Sequence, residues 1–169
     1  GDSPYHSNST IFGAICPTSE LVDAYEMADG TDFSWEEHGA DPYTGREPRF
    51  YASILYNGAR WEGRTIETFQ GGVDGIGKFQ TNGTAGTTTT GYYFKKYITE
   101  RDDAWETNGS DHFAPFIRYA EVLLNKAEAL AEQNWASNSA DALAALNEVR
   151  ARVDLPEKTA GSLEEFRTI

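Results

Sequence analysis

From Phe116 onward the apolar positions recur every three or four residues. Phe116, Tyr119, Ala120, Leu123, Ala127, Leu130 and Ala131 fall on one helical stripe, and Val122 and Leu124 widen it. That width predicts a helix buried on more than one side. A second series runs through Ala142, Leu143, Ala145, Leu146, Val149 and Val153. Together they predict two amphipathic helices joined by a short polar turn. Pro115 suits the first turn of the first helix, where its missing N–H costs nothing. Ser139 is the expected N-cap of the second, with Asp141 near the positive end of its dipole. Arg150 and Arg152 fall where a helix favours cations, and Pro156 stops it. Ala120, Ala127 and Ala145 are small enough to let the two helices approach closely. Ser162 with Glu165 three residues on predicts a capping box that opens a third helix.

The pattern is weaker upstream. Thr18 or Ser19 is the expected cap of a short helix through Glu20 and Tyr25. Residues 30–43 are polar and aromatic and read as a loop, and Asp41-Pro42 and Glu47-Pro48 are turn signals. Residues 50–56 fit a buried strand or a turn of helix equally well. Residues 61–114 are rich in Gly and Thr, with a strand expected over 91–98. The chain thus reads as one mainly α segment with minor β structure. Residues 1–114 are loop-rich with a short helix and strands, and 115–169 hold the hairpin and the start of a third helix. A helix pair of this length with small residues at its seam resembles a tetratricopeptide unit. A lone unit cannot cover its own apolar face, so further helices are expected to stack on it. The opening Gly1-Asp2 and the third helix cut at Ile169 read as a segment of a longer protein.

Charge narrows the partners. The 169 residues carry a formal net charge of −13, with a pI of about 4.5. Nucleic acid, whose phosphates need Lys and Arg, is not an expected partner. Charge attraction to an anionic membrane is excluded on the same ground. No apolar run is long enough to span a bilayer. The single cysteine, Cys16, excludes an internal disulfide framework. Ile15 is too large for the position before a lipidated cysteine, so Cys16 reads as a free thiol, buried or partly buried.

Two sets of residues imitate chemical motifs. The segment from Gly72 to Gly77 and Lys78 has the spacing of a phosphate-binding loop. Phe79 stands where magnesium coordination needs Ser or Thr, and no helix pattern follows. His6, His38 and His112 are scattered, and neither Asp29 with Asp32 nor Asp102, Asp103 and Glu106 follows a calcium-loop spacing. No cofactor or metal is expected. Glu36, Glu37, Glu62 and Glu106 carry no mark of a catalytic pair, and nothing marks a nucleophile with an ordered histidine. The chain is not expected to be an enzyme.

Four blocks, in order, carry a family resemblance. They are Pro17-Thr-Ser-Glu-Leu-Val-Asp-Ala-Tyr25; Asp41-Pro-Tyr43 with Arg46-Glu-Pro-Arg-Phe-Tyr-Ala52 and Ile54-Leu-Tyr-Asn-Gly58; Thr90-Gly-Tyr-Tyr-Phe-Lys-Lys-Tyr97; and Arg118-Tyr-Ala-Glu-Val-Leu-Leu-Asn-Lys-Ala-Glu-Ala-Leu130 with Ala145-Leu-Asn-Glu-Val-Arg-Ala-Arg-Val-Asp-Leu-Pro156. Together they resemble the C-terminal region of the SusD/RagB family and span most of residues 17–156. Glu47 replaces the more usual Asp. The family's long N-terminal portion and an Arg-rich helix beyond Ile169 are missing from this sequence.

The resemblance implies a tetratricopeptide-type fold with long ordered loops. It implies a non-catalytic protein on the outer face of the bacterial outer membrane, held there by an N-terminal lipid not present in this chain. The implied partners are an oligosaccharide or polysaccharide and a SusC-like TonB-dependent transporter to which glycan is delivered. The alternative is a protein–protein interaction module without a glycan site of its own. Ligand residues in such a family follow no fixed motif, so the candidates rest on local sequence. A sugar's C–H face stacks on Trp or Tyr while its hydroxyls need directional partners. Trp35 lies in a polar loop between Phe33 and Glu36, Trp105 in the polar loop 99–111, and Trp61 between Arg60 and Glu62. Trp135 is expected to pack at the hairpin.

Overall fold

The structure is a computed structural model. It describes residues 15–75, 88–98, 100 and 115–169. The chain divides into two units. The first is Gly1–Glu26 with Asp32–Phe113, and the second is Met27–Thr31 with Ala114–Ile169. The described structure is dominated by helix, with minor strands.

In the first unit the local signals act much as chemistry requires. Helix α1 (Ser19–Asp23) is capped by Thr18, whose hydroxyl accepts from Leu21 N at 3.3 Å. The stretch 30–43 was expected to be all loop, yet it contains one helical turn, α2 (Trp35–His38). Ser34 Oγ accepts from Glu36 N and Glu37 N, and both carboxylates sit in the first turn, where the dipole favours them. Residues 50–56 adopt both of the forms their pattern allowed. Pro48 opens α3 (Pro48–Ser53), and Ile54 then turns extended (φ −120°, ψ 133°) to begin β1 (Ile54–Leu55).

Strands β2 (Arg60–Trp61) and β3 (Arg64–Thr65) form a hairpin, and β4 (Tyr93–Phe94) pairs antiparallel with β1, Ile54 opposite Phe94. The Glu62-Gly63 turn of the hairpin is left-handed at both residues (φ 46° and 78°), the twist that matches paired strands. The strand expected over 91–98 is only two residues long. Gly91 before it (φ 86°) and Tyr97 after it (φ 67°) turn the chain away from the extended form.

Strand alternation divides the core. Leu55 joins Ala59, Trp61, Ile66 and Tyr93, whereas its neighbour Ile54 faces the other way to join Val22, Phe50 and Tyr92. Tyr56 packs on both clusters. The loop after β3 is fixed by Asp74, which is 3% exposed. Its carboxylate accepts Arg64 Nη1 at 2.7 Å, Arg64 Nη2 at 2.5 Å and Glu67 N at 2.9 Å. Tyr93 Oη donates to Asp74 O at 3.0 Å and accepts from Thr88 N at 3.1 Å.

Burial pushes the Tyr93 phenol up from 10.0 to about 12, and burial also raises Tyr43 and Tyr56. A phenol whose folded pKa is raised adds stability that is whole below its ordinary pKa and lost as pH climbs through the folded one. Denaturant stability should therefore hold to about pH 10 and then fall by up to about 2 kcal/mol from the Tyr93 contribution by about pH 12. Denaturant melts across this range, paired with tyrosinate absorbance, check it; stability that stays flat through the range would refute it.

The second unit is the helix hairpin. Helical structure α4 runs from Tyr119 to Ala151 and breaks at Asn134 (φ −167°, ψ 95°). Leu123 and Ala127 before the break pack with Ala145 after it, and Leu146, Val149 and Phe166 close over them. The expected cap at Ser139 is not the cap, because the break lies five residues earlier, at Asn134. Asn138 Nδ2 donates to Leu130 O at 3.2 Å, so an end carbonyl of the first helix is satisfied by a side chain of the second. The polar residues 137–139 are thus helical, and the turn itself is one residue.

Two further expectations fail at the hairpin's beginning. Pro115 stands outside α4, which starts at Tyr119 after Arg118. Val122 and Leu124 are 49% and 43% exposed, so the first helix is not buried on a second side within this chain. Its partner covers only the line of Leu123, Ala127 and Ala131.

The end of α4 is closed by backbone geometry. Asp154 adopts the left-handed form (φ 58°), Asp154 N donates to Ala151 O and Leu155 N donates to Arg150 O. Arg150 is not a solvated counter-charge there. It is 5% exposed, and its Nε donates to Pro156 O at 2.8 Å. Gly30 fits against it because a Cβ would meet Pro156 Cδ at 3.2 Å and Arg150 Nη2 at 3.3 Å. Helix α5 (Leu163–Phe166) has the expected cap. Ser162 Oγ accepts from Glu165 N, and Glu165 Oε2 accepts from Gly161 N rather than from the cap residue. Arg167 makes two 2.6 Å bonds to Glu132, tying α5 to the end of the first helix.

Candidate functional site

The four tryptophans have different fates. Trp61 is 1% exposed and sits in the core with Leu55, Ile66 and Tyr93. A sugar needs a free ring face, so Trp61 drops out as a glycan contact. Its polar neighbours misled because a strand alternates: Arg60 faces solvent and Trp61 faces inward. Trp135 packs on Phe166 with ring centroids 5.3 Å apart, as expected. Trp105 lies outside the described residues.

Trp35 is the one of the described three that offers a surface, at 51% exposed. Two side chains hold it, and a glycine leaves it room. Its Nε1 donates to Asp23 Oδ2 at 2.9 Å, which anchors the ring to the end of α1. Phe33 meets it edge to face, centroids 5.3 Å apart at 83°. Gly39 closes the turn behind it, where any Cβ would come within 2.4 Å of Trp35 O and 3.4 Å of ring atom Cε3. His38 stacks on Phe33 at 5.5 Å, and its Nδ1 lies 3.1 Å from Ser34 O.

Beneath this platform lies Arg46, which was not among the expected site residues. It is 2% exposed. Its guanidinium sits 3.9 Å from the Phe33 ring centre and 4.7 Å from that of Phe50. Nη1 donates to Pro42 O at 3.1 Å, and Nη2 donates to Val22 O and Tyr25 O at 2.5 and 2.8 Å. Burial lowers its pKa, and the charges of Asp23 and Glu47 act against that. One side chain therefore joins α1, the loop before α3, and the ring on which Trp35 leans. The signal that could have found it is the isolation of Arg46: from Thr18 to Gly45 the chain has no other Lys or Arg.

The other imitations lead nowhere among the described residues. Gly72 N and Gly75 N donate to the nearby carbonyls of Phe69 and Gly72, and Asp74 is engaged by Arg64; residues 76–80 lie outside the described part. Asp29 Oδ1 accepts from Thr31 N and Thr31 Oγ1, closing its own turn. Asp102, Asp103, Glu106, His6 and His112 are outside the described residues. Cys16 is a half-buried thiol that is not in a disulfide. In the second unit an open groove of about 460 Å³ runs beside Ala140, Leu143, Ala144, Asn147 and Lys158. It contains no aromatic ring and so offers a sugar no stacking face.

The family model described as the SusD family matches residues 2–167. The chain belongs to the SusD family. Its likeness to solved SusD-family structures agrees with that. A SusD-like protein of Bacteroides fragilis is 31% identical, with a TM-score of 0.69, over 94% of this chain and 32% of that one. A SusD-like carbohydrate binding protein of the same organism is 27% identical, with a TM-score of 0.74, over 98% of this chain and 34% of that one. No curated protein matches at a significant level. This chain spans about a third of the length of those solved relatives. The mainly α SusD-like fold expected from the four sequence blocks is the fold observed.

Proposed function

We propose that this chain is part of a non-catalytic protein that binds oligosaccharide or polysaccharide at the bacterial outer surface and hands it to a SusC-like TonB-dependent transporter. Trp35 is the ring on which a sugar stacks. The observation that carries this reading is a half-exposed tryptophan held by Asp23 and Phe33. A ring already held in place loses little freedom on binding, so more of the stacking energy appears as affinity. Membership of the SusD family and likeness to a carbohydrate binding protein support the same conclusion. No helix among the described residues is long and apolar enough to cross a membrane.

Affinity-gel electrophoresis against a panel of polysaccharides tests the reading. At least one polysaccharide should retard the chain, and Trp35→Ala should weaken that binding ~10-fold or more, the scale of a lost aromatic anchor. Trp105→Ala belongs in the same panel. Unchanged retardation in Trp35→Ala would remove Trp35 from the site.

A second reading has its own observation. Phe116 and Ile117, just before α4, and Tyr119 and Val122, in its first turn, are between 49% and 100% exposed. Such a cluster marks a surface that meets other protein, as a tetratricopeptide-type scaffold would. Loss of transporter co-purification in Tyr119→Lys, with glycan retardation intact, would assign that face to a protein partner.

A further inference from the structure

The proposal of Trp35 as a sugar platform leaves open which sugars it takes, and the surrounding charges bear on that. Asp23 lies against the indole edge, Oδ2 2.9 Å from Nε1. The next two residues of α2, Glu36 and Glu37, are both exposed. Asp32 and Asp41, to either side in sequence, are exposed as well. Residues 32–45 contain no Lys or Arg. The first cation after them, Arg46, is 2% exposed, clasped between two rings and bound to three carbonyls. It has no face to turn toward a ligand's carboxylate.

A uronate or sulfate group on a sugar over Trp35 would therefore meet carboxylates and no accessible guanidinium or ammonium from this stretch. Stacking does not compensate, because it acts on the C–H face and is indifferent to charge elsewhere on the ring. Like charges at the rim of a site discriminate by repulsion, and they do so most strongly at low salt. The net charge of −13 adds a long-range field of the same sign.

We infer that the Trp35 platform selects uncharged glycans and rejects polyuronates and sulfated glycans, with Glu36 and Glu37 as the specificity-determining residues. The inference rests on the glycan-binding reading of Trp35. It differs from that reading in what would end it.

The test is affinity-gel electrophoresis of the whole chain at low and high salt. Dextran, laminarin and xylan are the neutral probes; polygalacturonate and chondroitin sulfate are the anionic ones. Retardation should be confined to neutral gels. Glu36→Gln with Glu37→Gln, its fold checked by circular dichroism, should gain ~10-fold in binding to an anionic probe at low salt, and the gain should shrink at high salt. Two results would overturn the inference while leaving the glycan reading standing. One is Trp35-dependent retardation by polygalacturonate or chondroitin sulfate as strong as by any neutral gel. The other is a double variant that gains nothing. If no gel retards the chain, the reading and the inference fall together.

Discussion

Arg46→Ala should be among the most damaging single substitutions in the first unit, costing about 3–5 kcal/mol. Removing the side chain takes a charged donor from three carbonyls, those of Pro42, Val22 and Tyr25, at a position that is 2% exposed. Each buried group left without a partner costs about 1–3 kcal/mol. Phe33 and Phe50 also lose the cation between them. Because domains are stable by only about 5–15 kcal/mol, the loss removes a large share of the margin. Arg46→Lys should recover only part of the loss. An ammonium reaches fewer acceptors in fixed directions and cannot lie flat between rings. Denaturant titration of both variants checks this. Equal stability of Arg46→Lys and the parent chain would show that the charge matters and the planar fork does not.

The second large effect separates two tryptophans that look alike in the sequence. Trp61→Ala should cost about 3–5 kcal/mol, because it empties a site in contact with Leu55, Ile66 and Tyr93. Trp35→Ala should cost about 1 kcal/mol or less, since half of its ring is already in water and the lost contacts are one hydrogen bond and one edge-to-face pair. Thermal melts of the two variants side by side decide the matter. A Trp35→Ala variant as unstable as Trp61→Ala would mean that Trp35 is a structural anchor, and the platform reading would lose its basis.

The difference between those residues shows where sequence reading reached and where it stopped. The hairpin was legible because Leu123, Ala127, Ala145 and Val149 repeat at helical spacing over a long stretch, and four sequence blocks identified the family. The turn at Asn134 was not legible. Nothing local distinguishes it from Asn138, and a contact that closes it, Asn138 Nδ2 on Leu130 O, spans the turn. Trp61 was misjudged because it stands between two charged residues, Arg60 and Glu62. Glu62-Gly63 is the sort of two-residue turn that links strands, and reading Trp61 with that turn would have placed it on an inward face. The Trp35 support was half legible. The polar loop and Phe33 were visible, but Asp23 is twelve positions away and Arg46 acts from beneath, and only folding brings them together.

The single-residue break at Asn134 also bears on how this chain meets a protease. Tips between helices are usually where nicking begins, because a protease must draw an extended run of backbone into its cleft. Here 119–133 and 135–151 are helical almost to the point where they meet, and Trp135 is held on Phe166. No extended run exists there until helix unwinds. Limited digestion should leave the hairpin as one uncut fragment, its tip as resistant as its middle, with cleavage entering from segments outside α4.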